Sequence, residues 1–269
     1  MREVCPNKMG YPVRLSRLIL CLALLLSFGA ARAQAFPMLQ LDIVGGYYDP
    51  VTQTIISSGP DFTLVALLTP QNNSSAATLT ELLNDTYFIS AAVIPSTGPG
   101  GSTLGSFTFN SANYDVTGDL TYGNPPIELF TDAVGDPGDL QNHGVFPTYF
   151  GEFGFSFSAD QRAVTYNTAD APGGFTTTTS TDPNTFSYYQ TFNITTSLSD
   201  PTNAIHFDLY NTYVQNCARS GACVWDEEIA LFAPFSHDAQ SRVPEPQTLV
   251  MMSTGLLIAG RLLARRRKA

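Results

Sequence analysis

The residues of this chain that could do chemistry are few and far apart. There are three histidines, His143, His206 and His237. On a strand, His206 shares one face with Asp208 and Tyr210, because alternate side chains point the same way. His143 opens the segment His-Gly-Val-Phe, and His237 precedes Asp238. A metal trio would need all three histidines to converge. A lone histidine beside an aspartate is more often a hydrogen-bonded structural residue. Asp132, Asp136 and Asp139 lie in a loop kept open by Gly135, Pro137 and Gly138, where carboxylates and carbonyls could bend around calcium, which takes six to eight oxygens. The spacing is not that of an EF-hand, and Asp-Pro-Gly is also an ordinary turn. Asp226-Glu227-Glu228 is a second acidic run whose neighbours point to opposite strand faces.

Catalytic constellations are harder to find. Glu128 or Glu152 with Asp208 could form the paired carboxylates of a glycosidase, yet an acid-rich chain offers many such pairs. There is no H-E-x-x-H, no G-x-S-x-G and no P-loop, since Gly98 to Gly101 comes without a lysine. The expectation is a protein that is not an enzyme and has no resident cofactor, with calcium as the one cation the sequence leaves room for.

The elements that would position these residues are strands. Leu39, Leu41 and Ile43 alternate with Gln40 and Asp42; Phe153, Phe155 and Phe157 with Gly154 and Ser156; Ile205, Phe207 and Leu209 with His206 and Asp208. Each reads as a strand with one buried face. Further strands are expected at 52–57, 61–68, 86–94, 106–110, 115–122, 187–196 and 228–235, with turn signals such as Asp49-Pro50, Asn124-Pro125-Pro126 and Pro172-Gly173-Gly174 between them. Only Ala76 to Leu83 suggests a helical turn. The fold class expected is all-β, an antiparallel, jelly-roll-like β-sandwich spanning residues 36–235. Residues 236–242 read as a short polar tether, and 175–185 as an exposed loop.

The two ends of the chain are addresses. Arg2, Lys8, Arg14 and Arg17 precede an apolar run from Leu18 to Phe28, and Ala33-Gln34-Ala35 offers the small residues a signal peptidase needs, so 1–35 is expected to be a signal peptide. At the other end, the 13 residues Thr248 to Gly260 would make a helix about 20 Å long, and extending it through Ala264 to 17 residues lets it barely span a bilayer. Arg261 would snorkel, and the closing basic cluster fixes that end in the cytoplasm.

Without these ends the charge changes sharply. The whole chain has a formal charge of −10, but residues 36–242 hold three arginines and no lysine against 21 carboxylates, a charge of −18. Nucleic acid is excluded as a partner, because phosphate binding needs a basic footprint. Cys217 and Cys223 flank a short segment with Gly221 and, in an oxidising compartment, are expected to close a small disulfide loop worth roughly 2 kcal/mol.

The tail motif Val243, Pro244, Glu245, Pro246, followed by one apolar helix and Arg265, Arg266, Arg267, closely resembles the PEP-CTERM sorting signal of Gram-negative bacteria. The resemblance covers residues 243–269. It implies processing by an exosortase, transient residence in the membrane, and display on the cell surface or in the extracellular matrix, commonly in bacteria that make exopolysaccharide. Leu39 to Asp49, His143 to Phe150 and Ala233 to Ala239 resemble, more softly, the choice-of-anchor N surface proteins, a resemblance that implies no activity. Two functions stay open: a non-enzymatic surface or matrix protein, and a carbohydrate-binding module using exposed rings such as Tyr47, Tyr48, Tyr188, Tyr189 or Trp225.

Overall fold

A computed structural model describes residues 38–71, 76–100, 103–127, 140–141, 143–215 and 226–242, all within the unit Phe36–Ala269. In chain order the strands are β1 (Leu39–Ile43), β2 (Tyr47–Asp49), β3 (Thr54–Ile56), β4 (Asp61–Leu68), β5 (Tyr87–Ile94), β6 (Gly105–Phe109), β7 (Ala112–Asp115), β8 (Thr121–Gly123), β9 (Thr148–Phe155), β10 (Arg162–Val164), β11 (Phe186–Leu198), β12 (Ala204–Gln215), β13 (Asp226–Phe232) and β14 (Asp238–Gln240). Among the described residues one α-helix, α1 (Ala76–Asn84), precedes β5, and a 3-10 turn, Phe235–His237, precedes β14. Among the described residues no helix is long and apolar enough to cross a membrane. The signal peptide, the sorting tail, Cys217, Cys223, Asp132, Asp136 and Asp139 all lie outside the described residues.

The strands form two sheets. The first runs β1-β4-β11-β6-β7, with β10 also on β11, and every pairing is antiparallel. The second runs β2-β3-β14-β12-β5-β9-β8, with β13 also on β12. One core lies between them: Leu41, Ile43, Leu64 and Phe192 from the first sheet join Ile89, Ile205, Phe207 and Leu209 from the second. Phe62 meets Phe207 across the gap edge-on, with ring centres 6.0 Å apart. Alternation explains the arrangement, since residues two apart send their side chains into one layer.

Both sheets also carry cover on their outer faces, which the alternating pattern did not predict. Gln40 and Asp42, expected to face water, are fully buried. Segment 165–175 lies over them: Gln40 Oε1 accepts from Thr168 N and its Nε2 donates to Tyr166 O, while Asp42 accepts from Ile43 N, Gly173 N and the Tyr166 hydroxyl. On the second sheet, Leu140, Val145 and Phe146 pack onto Ala92, Phe150 and Tyr210. That second cover is what brings chemistry to the sheet.

Three further expectations change. Residues 115–122 do not form one strand, because the Asp115 carboxylate accepts from Thr117 N and Gly118 N and turns the chain between β7 and β8. The sheets are not wholly antiparallel, since β14 runs parallel to β3 while lying antiparallel to β12. Most consequentially, 236–242 is not a solvated tether. Asp238, Ala239, Gln240 and Ser241 are buried, and β14 fills an interior slot of the second sheet, joining the β2-β3 hairpin to the rest. Its polar sequence, Asp-Ala-Gln, disguised it as linker.

Candidate functional site

β12 presents His206 and Asp208 on the outer face of the second sheet, as period two requires, while Phe207 and Leu209 enter the core. β14 lies along the same strand with His206 opposite Gln240 and Phe207 opposite Ala239, so the next register step sets Asp238 beside Asp208. The covering segment lowers His143 onto this pair. Its imidazole stacks on Phe235 at 4.3 Å and 16°, and meets Phe146 edge-on. Three separate stretches of chain therefore meet at one point.

The geometry there is tight. His143 Nε2 lies 3.2 Å from His206 Nε2 and 3.1 Å from Asp208 Oδ1. His206 Nε2 lies 3.4 Å from Asp208 Oδ1 and 3.7 Å from Asp238 Oδ2. One donor atom from each of the four residues falls within 4.8 Å of all the others. These contacts have ion-pair distances, yet none of the four carboxylate oxygens of Asp208 and Asp238 receives a hydrogen bond of proper direction. His143 Nδ1 faces the Gln141 carbonyl at 3.0 Å, and a carbonyl can only accept, so that nitrogen carries a proton. In the neutral ring, Nε2 then offers a lone pair to the centre.

Electrostatics follow from the burial of two imidazoles and two carboxylates together. Arg162 lies over the Phe186 ring, and Arg242 donates to Ser58 O. Burial opposes the charged form of His206, but Asp208 and Asp238 outweigh it and raise its pKa. His143 is also raised, burial again being overcome by Asp208. Burial opposes ionisation of Asp208, yet His206 and His143 hold it below the usual carboxylate range. Asp238 moves up, driven by burial and by the charge of Asp208. Asp208 and the two imidazoles thus favour each other's charged forms, while Asp238 is pushed toward its neutral acid. A cavity of about 580 Å3 opens beside it, with His143, His206 and Asp238 in its wall together with Thr54, Gln240 and Phe235.

The sequence singled out three histidines, of which two converge. His237 turns away: its Nε2 meets Asn167 Oδ1 at 3.1 Å and its Nδ1 meets Ser236 Oγ at 2.9 Å. Asn167 Oδ1 also accepts from Ala169 N, so this histidine ties the 3-10 turn to a neighbouring loop. The donor that replaces it is its chain neighbour Asp238. Sequence reasoning overlooked Asp238 as a ligand because it stood in the supposed tether.

Glu152 accepts from Ile127 N at 2.7 Å and from the Tyr210 hydroxyl. β5 lies between Glu152 and Asp208, with Ser90 opposite both. Glu128 lies outside the described residues. Of the rings considered for sugar stacking, Tyr188 is buried, Tyr189 packs against Phe175, and Tyr47 is half exposed. No protein family, no curated protein and no solved structure matches this chain.

Proposed function

We propose that this chain is an exported surface or extracellular-matrix domain of a Gram-negative bacterium, delivered by exosortase sorting, which acts by binding rather than by catalysis. The observation that carries the binding half is the buried centre of His143, His206, Asp208 and Asp238 opening into a cavity of about 580 Å3. Such a concave site with convergent polar groups is the usual form of a ligand site. The delivery half rests on three features coinciding in residues 243–269: the Pro-Glu-Pro motif, one apolar stretch and an arginine-rich end. In this reading the sandwich has jelly-roll-like connectivity and the tail occupies the membrane only until it is processed. Signal peptidase and exosortase are its processing partners.

The test is fractionation of cells with and without an exosortase, with the carboxyl end of the protein identified by mass spectrometry. Sorting predicts loss of Arg265 to Lys268 only where the enzyme is present. Retention of those residues in both strains would leave a permanent tail anchor instead.

A second reading, a carbohydrate-binding module associated with exopolysaccharide, draws on the same cavity. Thr52, Gln53, Thr54, Thr202 and Gln240 offer hydroxyls and amides there, beside the ring of Phe235. Retention of the purified chain on the cell's own exopolysaccharide, lost in Thr202→Val with Gln240→Leu, would support it.

A further inference from the structure

We propose that His143, His206, Asp208 and Asp238 are the protein ligands of one divalent transition-metal ion of the zinc class. The proposal deepens the binding function above by naming the chemistry of its ligand.

The spacing argues first. Tetrahedral zinc with bonds of about 2.0–2.1 Å to nitrogen and oxygen sets its ligand atoms about 3.3 Å apart. His143 Nε2, His206 Nε2 and Asp208 Oδ1 stand 3.2, 3.1 and 3.4 Å apart, already one triangular face of such a figure. Asp238 is the looser fourth donor, with Oδ2 3.7 Å from His206 Nε2 and an oxygen within 4.8 Å of the other three ligand atoms. Ordinary hydrogen bonding would instead aim an N–H at a carboxylate, and no oxygen of Asp208 or Asp238 receives one.

Electron pairs argue second. With the His143 Nδ1 proton committed to the Gln141 carbonyl, its Nε2 lone pair points toward a carboxylate oxygen and a second imidazole. Such a lone pair needs a positive centre beside it, a proton of His206 Nε2 or a metal ion, and only the metal also serves the carboxylates. A carbonyl on the far nitrogen is also the usual outer partner of a metal-bound histidine, fixing both tautomer and ring plane. All four oxygens of Asp208 and Asp238 are buried without a hydrogen bond. Two carboxylates and one divalent ion sum to zero charge, which removes the cost of burying them alone.

The donor set then chooses the metal. Calcium and magnesium take oxygen ligands and six or more of them, whereas imidazole suits zinc, copper, iron and nickel. The ion has a way in, because His143, His206 and Asp238 all line the open cavity.

The experiment uses the full-length chain, purified in mild detergent and stripped with a chelator, titrated with Co2+ by visible absorption and with Zn2+ by calorimetry. One equivalent of Co2+ should give the intense bands of a near-tetrahedral site, displaced by Zn2+ and not by Ca2+. His143→Ala and Asp208→Asn should each weaken Zn2+ at least 100-fold, since even outer-shell changes cost about 10–100-fold. His143 lies on a covering segment, so that variant tests the ligand without dismantling the sheet, and circular dichroism checks its fold. Absence of saturable binding to the folded chain overturns the proposal, as does binding that both variants retain. The cell-fractionation result is independent: a chain that is sorted but binds no Co2+ loses this inference alone, and one that binds Co2+ with its tail uncut loses only the sorting reading.

Discussion

If a metal ties these four residues, removing it should lower thermal stability by an amount that can be worked out. The ligands come from β12, from β14 and from the segment carrying His143, so unfolding scatters them along the chain and leaves only His206 and Asp208 as near neighbours. Binding to the native form alone then adds RT ln(1 + [L]/Kd), or about 2.7 kcal/mol when free Zn2+ is one hundred times Kd. For a domain of this size each kcal/mol moves the melting temperature by roughly 2–4 °C, so the expected rise is about 5–11 °C. Scanning calorimetry of the full-length chain in chelator and in Zn2+ measures it. Asp208→Asn should abolish the rise. A shift below about 1 °C in the wild type, or one of full size in the variant, would refute the reasoning. Calcium in the same assay addresses the separate expectation at Asp132, Asp136 and Asp139. A calcium shift that survives in Asp208→Asn belongs to that loop, and no shift retires it.

Other outcomes test the fold beneath the site. Gly105 has φ +98°, and a Cβ there would stand 2.5–2.6 Å from backbone atoms of Ser197, Leu198 and Ser199. Gly105→Ala should therefore cost about 2–5 kcal/mol in urea unfolding, against about 1–2 kcal/mol for Gly45→Ala, whose left-handed glycine has open space around it. Equal costs would contradict the packing around β6. Asp42 has a raised pKa, because burial outweighs its bonds to Tyr166, Gly173 and Ile43. The native state then holds that proton to higher pH than the unfolded chain, so stability falls as pH rises from the ordinary carboxylate value to the raised one. Asp42→Asn should remove this slope, at most about 1.4 kcal/mol per pH unit, in urea titrations run upward from the ordinary carboxylate value. An unchanged slope would assign the titration elsewhere. Ending the chain after Phe235 should leave it unfolded by circular dichroism, whereas ending it after Arg242 should not. The shorter chain loses the bonds Ser57 N to Gln240 O, Ser241 N to Ile205 O and Arg242 N to Ser57 Oγ, each worth about 1 kcal/mol. It also loses the strand that joins β2-β3 to the sheet. A folded shorter chain would overturn that role for β14.

How much of this could be read in the sequence depends on range. β4 matches its expected limits of 61–68, and β1, β5 and β12 emerge from alternation, because period-two patterning is a local consequence of the pleat. Burial on the second face of β1 was hidden, since Gln40 and Asp42 are covered by residues more than 120 positions away. The site divides in the same way. His206 and Asp208 shared a face on spacing alone, but His143 arrives from 63 positions away, and Asp238 through a register that nothing in Asp-Ala-Gln announces. Polarity in a short strand resembles polarity in a linker. Only its partners tell them apart.

The interior position of β14 also limits reach. Arg242 is still bonded to Ser57 through its backbone N–H, and the apolar stretch of the tail begins only six residues later, at Thr248. Fully extended, six residues cover about 20 Å. In the sorting reading proposed above, a tail in the bilayer leaves the sandwich no more than this length of chain on which to stand off. In that reading a domain of charge −18 rests close to the lipid headgroups. Anionic lipid would repel that domain at low salt. Cutting the tail would then release a body already held under electrostatic strain, so departure from the membrane should be fast in low salt and slower as salt rises.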